Sequence, residues 1–155
     1  MAGAVVFVAL LLASSACGSD TVHVDRFSVT AGGHSSRRQF LAALPDTVAG
    51  QSRRKVTGST YAAAWGDPAI VLRCGVPLPK DFAISPCITR NGIGWSVPAD
   101  QADDSALDVR MTLAFRNPVV QVHLPAHYRP NGPSGVMADL DADVRRHTTA
   151  HGRCT

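Results

Sequence analysis

The chain contains 155 residues, of which 15 are Lys or Arg and 12 are acidic, so its formal net charge is +3. This mildly basic balance lacks the clustered positive face that is typical of nucleic-acid-binding domains. The length fits one ordinary domain with enough residues to bury a core. We therefore expect a single domain and no nucleic-acid partner.

An apolar segment occupies the start of the chain. Residues 1–12 have the composition of the apolar core of an export signal, and the small residues that follow fit a peptidase site immediately before Cys17. This order predicts a signal peptide over residues 1–16 and a lipidated N-terminus over residues 17–20, with Cys17 as the lipid attachment residue. Because no Lys or Arg precedes the apolar core and Ser14 stands third before the cysteine, secretion and an uncleaved membrane anchor are the alternatives.

The predicted signal places the protein outside the cytoplasm. We expect a lipid anchor at the outer face of the plasma membrane, a globular domain over residues 21–148 and a C-terminal tail over residues 149–155. The partners expected at that location are the membrane itself, through the anchor, and a protein or glycan of the cell envelope. The longest basic run is Arg53, Arg54 and Lys55, which is too short for a polybasic lipid-binding segment and is interpreted as a solvated loop.

The first predicted elements are a strand and a short helix. Alternating apolar residues over 21–25 predict an early strand. Ser35 or Ser36 is a suitable cap for a helix that ends before Pro45, because the residue before a proline disfavours the helical conformation. The apolar face of this helix is formed by Phe40, Leu41 and Leu44. Residues 46–59 are polar and basic, and we predict that they form a loop.

Two hairpins are predicted in the middle of the chain. The segments 61–65 and 69–73 have the composition of strands, and the Gly-Asp-Pro sequence between them favours a turn. An Asn-Gly dipeptide at 91–92, which is typical of hairpins, precedes a further alternating segment. Trp65 and Trp95 lie within these alternating strands, so we expect both in the core rather than in a ligand groove.

The last third of the chain contains the clearest strand pattern and a longer helix. Residues 107–115 alternate between apolar and polar side chains, and residues 119–124 continue this pattern after a turn. A helix follows with Val136, Leu140 and Val144 on one stripe. Short strands framed by two helices that each have one apolar face predict an α+β fold, in which an antiparallel sheet of about five to six strands is covered by two short helices.

Three cysteines follow Cys17, and the residues leave their pairing open. Thiols of exported proteins tend to oxidise, so Cys74, Cys87 and Cys154 are disulfide candidates. Cys74 and Cys87 enclose a Pro-rich loop in which pairing is sterically easy, whereas Cys154 lies near the chain end, where it is suited to act as a staple. The Cys74–Cys87 and Cys87–Cys154 bridges are therefore alternatives.

Few side chains have the spacing of a metal or catalytic site. His147, His151 and Cys154 are spaced for zinc, but a solvated tail is the simpler interpretation because no second ligand pair accompanies them. His123 and His127 have the same four-residue spacing across a strand end and a proline, where they need not share a face. We therefore predict no metal ligand, no catalytic residue and no cofactor.

The aspartate-rich segments are interpreted as solvated acid. Asp139, Asp141 and Asp143 alternate like the start of a calcium loop, but the glycine and glutamate that such a loop requires are missing. A second group precedes and enters the strand predicted at 107–115: Asp100, Asp103, Asp104 and Asp108. Weak calcium binding is the alternative for that group. Phosphate loops, dinucleotide fingerprints and nucleophile elbows do not occur in the sequence.

Four segments of the chain resemble a known family. They are Leu-Ala-Ala-Leu-Pro at 41–45, Ala-Trp-Gly-Asp-Pro at 64–68, Val-Leu-Arg-Cys-Gly-Val at 71–76 and Asn-Gly-Ile-Gly-Trp at 91–95. Together they resemble the exported proteins of high-GC Gram-positive bacteria that form the domain of unknown function 3515 family, over essentially the whole mature chain. The resemblance implies an envelope-facing, often lipid-anchored domain, and it transfers no activity, substrate or catalytic residue.

The resemblance also bears on the cysteines. Members of this family carry a cysteine at the start of the first helix, where this chain has Arg37, Arg38 and Gln39. If that cysteine is the usual partner of Cys74, the Cys74 thiol is unpaired in this chain. The resemblance then favours the Cys87–Cys154 bridge.

The sequence supports three functional hypotheses. The leading one is a non-catalytic lipoprotein domain that binds a ligand or partner at the cell envelope, because catalytic signatures are missing. The second is a hydrolase-type envelope enzyme in which Asp67, Asp108 and His123 converge only after folding. The third is a protein that handles metal through its C-terminal histidines and cysteine.

Overall fold

A computed structural model of the protein describes residues 21–154, so the predicted signal peptide and Cys17 lie outside the described residues. The helices are α1 (His34–Ala43), α2 (Ala99–Asp103) and α3 (Gly132–His147), with a 3-10 turn at Ala126–Tyr128. The strands are β1 (Thr21–His23), β2 (Thr47–Val48), β3 (Gln51–Thr57), β4 (Ala62–Trp65), β5 (Ile70–Cys74), β6 (Cys87–Arg90), β7 (Ile93–Ser96), β8 (Val109–Leu113), β9 (Arg116–Asn117), β10 (Val120–Leu124) and β11 (Thr149–Ala150). In this range, no helix combines the length and apolar character needed to cross a membrane.

One large sheet dominates residues 21–154. Its strands follow the order β1-β3-β4-β5-β10-β8-β7-β6, with β2 paired to β3 beside this path, and β9 and β11 form a separate two-stranded sheet. The pairs of the large sheet are antiparallel, except that β1 runs parallel to β3. The fold is therefore α+β and mostly antiparallel, as the sequence predicts. The prediction of five to six strands was too low.

The basic segment 46–59, which the sequence predicts as a loop, forms β2 and β3 instead. The guanidinium of Arg53 explains the difference, because it donates to the carbonyls of Leu44 at 2.6 Å and Leu41 at 3.0 Å. It also lies 5.7 Å from the ring centroid of Trp65. The last carbonyls of a helix have no partner within the helix, and a cationic donor satisfies them. The sequence predicts a solvated Arg53, whereas in the structure its side chain makes tertiary contacts.

The two longer helices and the central strands share one hydrophobic core. Phe40 and Leu41 of α1 are buried in it, and so is the stripe predicted for α3: Val136, Leu140 and Val144. In the sheet, Leu72 pairs across to Val122, which in turn pairs across to Met111, and all three are fully buried. Trp65 and Trp95 are buried in the same core, so their predicted core role is confirmed.

Two expectations at the ends of elements were wrong. Helix α1 is preceded by Gly33 in the left-handed conformation, so Ser35 and Ser36 lie within its first turn and do not cap it. Strand β8 is shorter than the predicted segment 107–115. Leu107 is 42% exposed because the chain turns just before β8, where its N–H bonds to the Asp104 carbonyl.

The C-terminal residues are attached to the two sheets. Within the segment predicted as a tail, β11 pairs with β9, and a disulfide joins Cys154 to Cys87 at the start of β6. Of the two bridges that the sequence leaves open, the structure contains Cys87–Cys154. Cys74 is buried and free. The C-terminus is therefore held against the edge of the large sheet.

Replacement of Cys154 by alanine is expected to lower the free energy of unfolding by about 2–5 kcal/mol, because a bridge between residues 67 positions apart strongly restricts the unfolded chain. Chemical denaturation of oxidised wild type and C154A measures the difference. Reductant is the matched control: it should move the wild-type midpoint to that of C154A and leave C154A unchanged. Identical midpoints for the two oxidised proteins would contradict the bridge.

Candidate functional site

The residues that the sequence offers as weak metal ligands do not form a metal site. His147 ends α3, and the backbone N–H of His151 donates to the Phe115 carbonyl at 2.9 Å. The sulfur of Cys154 is bonded to Cys87 and is not a free thiolate. Over residues 21–154, no three His, Cys or acidic side chains are grouped to hold a metal ion.

The aspartates predicted as solvated acid mostly make structural contacts. Asp141 pairs with Arg145 one turn later on α3, with an O–N distance of 3.0 Å. Asp139 accepts a hydrogen bond from the backbone N–H of Ala49 at 2.7 Å and so joins α3 to the β2–β3 turn. The segment rich in aspartate before β8 contains the short helix α2 rather than a calcium loop.

Two of the three residues in the enzyme hypothesis meet. The Nε2 of His123 lies 3.2 Å from Asp108, whose second carboxylate oxygen accepts the backbone N–H of Ala126 at 2.8 Å. The two side chains are about half exposed, at 43% and 54%. Asp67 lies in the β4–β5 turn. His127 packs edge to face against Tyr128 instead of joining them. Asp108 and His123 thus form a contact at the protein surface rather than in a cleft.

A polar pocket of about 400 Å³ lies beside the N-terminus of α1. The loop before α1 and its first turn form one wall, and the ends of β9 and α3 form the opposite wall. Its lining includes the following side chains and glycines: Gly32, Gly33, Ser36, Arg37, Asn117, His147 and Thr149. Among the described residues 21–154, no acidic side chain lines this pocket, and neither does any of the three residues of the enzyme hypothesis.

Arg37 is the most unusual residue of this pocket, because only 2% of its surface is exposed. It precedes Phe40, Leu41 and Leu44 by three, four and seven positions. Helical geometry therefore places Arg37 on the same, buried face as these apolar residues. Its guanidinium lies 4.9 Å from the ring centroid of Tyr61 and donates to the Thr30 carbonyl at 3.2 Å. A second, longer contact of 3.5 Å reaches Nδ1 of His34, and Nε has no hydrogen-bond partner.

The backbone at Gly75 leaves space for the side chain of Arg37. Gly75 has a φ of 86°, and a Cβ atom there would stand 2.5 Å from Cδ of Arg37. The neighbouring thiol belongs to Cys74, whose pKa is raised to about 12 by burial, an effect that the Arg37 charge opposes. At neutral pH this thiol is therefore protonated and does not neutralise Arg37.

The N-terminus of α1 also faces the pocket. Its cap residue is Gly33, which offers no side-chain hydrogen bond, and the first turn contains no acidic residue. The first N–H groups of a helix have no acceptor within the helix, and the helix dipole places partial positive charge there. The same wall of the pocket thus presents backbone donors, the Ser36 side chain and a buried guanidinium.

Three larger clefts lie elsewhere on residues 21–154. One of about 680 Å³ has Arg73 and Gln121 on its lining together with Phe27 and Leu78. Another, of about 630 Å³, lies beside the disulfide against Phe115. The third, of about 480 Å³, lies over the basic run of β3. None of them contains an ionisable group as buried as Arg37, so we take the pocket beside α1 as the candidate site.

The fold and this pocket define a small α+β protein with a mostly antiparallel sheet and a polar cavity at the start of its first helix. The family model described as "Protein of unknown function (DUF3515)" matches residues 1–152, and the chain belongs to this family, as the four sequence segments indicated. Comparison with curated proteins and with solved structures found no match.

Gly75→Ala is expected to destabilise the protein by about 2–4 kcal/mol, because a side chain there is strained at positive φ and also collides with Arg37. Gly92→Ala is the matched control, since Gly92 has a φ of 76° but a Cβ atom there meets nothing within 4 Å. That variant should lose only about 1 kcal/mol. Chemical denaturation compares the two, and equal losses would show that Arg37 does not pack as described.

Proposed function

We propose that this protein is an extracytoplasmic, lipid-anchored domain that binds a ligand without catalysis, and that the pocket beside α1 is its ligand site. One observation carries the proposal above the others: a side chain as polar as Arg37 is buried in the wall of an open pocket. A volume of about 400 Å³ also lies within the range of small-molecule sites, roughly 300–1,000 Å³.

The chemistry of the pocket supports binding rather than reaction. General acid–base catalysis requires a titratable group within reach of the substrate, usually with a second group that orients it. His147 is the pocket's one imidazole, and none of the hydrogen bonds or ion pairs found in residues 21–154 gives its ring a carboxylate partner. The Asp108–His123 pair, which has such an arrangement, lies outside the pocket.

The start of the chain supports a location at the membrane. Thr21 already belongs to β1, so few residues separate it from the predicted lipid attachment at Cys17. Across the β1–β3 pair, Thr21 lies opposite Lys55, which is exposed and suited to an anionic surface. Arg53 of the same basic run is bonded to carbonyls of the protein. We therefore expect the domain to lie close against the membrane.

The anchor is tested by the intact mass of the protein recovered from membranes of its source organism. We expect a chain that begins at Cys17 and carries a diacylglycerol-type addition. Cys17→Ala should move the protein out of the membrane fraction or leave it with an unprocessed N-terminus. An unmodified mature N-terminus in the wild type would remove the anchor from the proposal and leave secretion as the route.

Ligand binding is tested by affinity capture of the full chain from those membranes, followed by mass spectrometry of both proteins and small molecules. Ser36→Trp fills the pocket, whereas Ser35→Trp places the same bulk on the neighbouring exposed residue outside it. We expect at least one molecule that wild type and S35W retain and S36W loses. Capture of nothing specific by wild type, or equal capture by both variants, would contradict the proposal.

A further inference from the structure

We propose that the pocket beside α1 binds the anionic group of a small organic ligand, either a carboxylate or a phosphate ester. This inference rests on the proposed function, because it names the ligand class of the same site. Its two independent supports are the uncompensated charge of Arg37 and the uncapped N-terminus of α1.

The charge of Arg37 has no counterion in the described part of the chain. None of the ion pairs found in residues 21–154 includes Arg37, and the nearest thiol is protonated at neutral pH. A guanidinium carries five N–H donors, yet here it makes one ordinary hydrogen bond and one at 3.5 Å, which is beyond the usual range. Burial of a charge is costly unless the charge is paired and hydrogen-bonded.

Other arginines show how unusual this is. Arg110 and Arg129 also have an Nε without a partner, but both are partly exposed. Arg110 pairs with Asp81, and Arg129 donates to three backbone carbonyls. Arg37 is more buried than either, has fewer acceptors than Arg129 and, unlike Arg110, has no carboxylate partner. The unpartnered Nε lies on the side of Gly75, so the donors that we assign to the anion are the N–H groups of Nη1 and Nη2 that these contacts leave unused. Charge-assisted hydrogen bonds of this kind are about twice as strong as neutral ones.

The orientation of Arg37 directs this capacity toward the pocket. Its Nη1 lies 3.6 Å from the position that a Cβ atom would occupy on Gly33, and its Nη2 is the atom near His34, so both nitrogens face the start of α1. A Cβ on Gly32 would meet nothing within 4 Å, which leaves room for a ligand above the first turn. Backbone N–H groups at a helix N-terminus and a guanidinium together match the oxygens of a carboxylate or phosphate.

The volume and the opposite wall indicate an organic anion rather than a bare ion. A pocket of about 400 Å³ is several times larger than one oxyanion. Asn117, Thr149 and His147 line the far side and offer neutral hydrogen-bonding groups to the rest of the ligand. The part of the wall that the described residues form contains no acidic side chain that would repel the anionic end.

Calorimetric titration of the full chain with inorganic phosphate, glycerol 3-phosphate and acetate tests this inference. All titrations are made against a chloride background of the same ionic strength, so that general screening is constant. We expect saturable binding of at least one of the three, and the comparison separates phosphate chemistry from carboxylate chemistry. An absence of saturable binding for all three would overturn the inference.

Two pairs of variants locate the binding. Arg37→Gln should weaken the bound anion at least about tenfold, whereas Arg38→Gln, one residue along and exposed, should stay within about threefold. Ser36→Asp places a carboxylate in the pocket, which should compete with the anion and lower its affinity at least about tenfold. Ser35→Asp adds the same charge to the same helical turn outside the pocket, and it should have little effect. If Arg37→Gln fails to fold, the comparison of Ser36→Asp with Ser35→Asp tests the anion site.

Equal affinities for S36D and S35D would overturn the anion site. Failure of this inference is distinguishable from failure of the proposed function. A neutral molecule that wild type and S35W retain and S36W loses, without anion binding by wild type, would keep the pocket as a ligand site and reject the ligand class. Anion binding that S36D and R37Q abolish supports both.

Discussion

The position of α1 depends on Arg53, whose guanidinium reaches from β3 to the last carbonyls of the helix. Trp65 reinforces this contact, because its indole N–H donates to the Pro45 carbonyl just after α1. With its C-terminal end fixed to the sheet, α1 presents Phe40 and Leu41 to the core, and the same face carries Arg37. The attachment at one end of the helix thus determines how deeply the arginine at the other end is buried.

Elements with strong periodicity were predictable from the sequence. The stripe of α3 and the apolar faces of β8 and β10 follow from side-chain spacing, and the hairpin at Asn91-Gly92 follows from its turn dipeptide. The region 46–59 was not predictable in this way, since its strand is stabilised by what Arg53 contacts and not by an alternating apolar pattern. Residues at positive φ, such as Phe115 after β8, likewise end strands for reasons that spacing does not encode.

The candidate site illustrates the same limit. The spacing of Arg37 relative to Phe40, Leu41 and Leu44 places a charge on an apolar face, and the two glycines before α1 are consistent with an uncapped helix start. These two sequence features do not by themselves indicate a pocket, because residues far along the chain form its opposite wall. Asn117 and Thr149 reach that wall only because β11 folds back onto β9. His147 has the sequence spacing of a metal ligand, whereas the fold places it in the same pocket as Arg37.

The sheet order gives the two ends of the domain different mechanical roles. β1 is the outermost strand at one edge, and β6, which carries the disulfide, is the outermost strand at the other. In a chain tethered through its N-terminus, tension would enter at Thr21 and load the three-residue β1–β3 pair first. Strand β1 could separate from β3 while the opposite edge, which the disulfide at β6 closes, and the helices stay in place. With the proposed anchor at Cys17, the first strand would therefore act as a short extensible linker between the membrane and the rest of the domain.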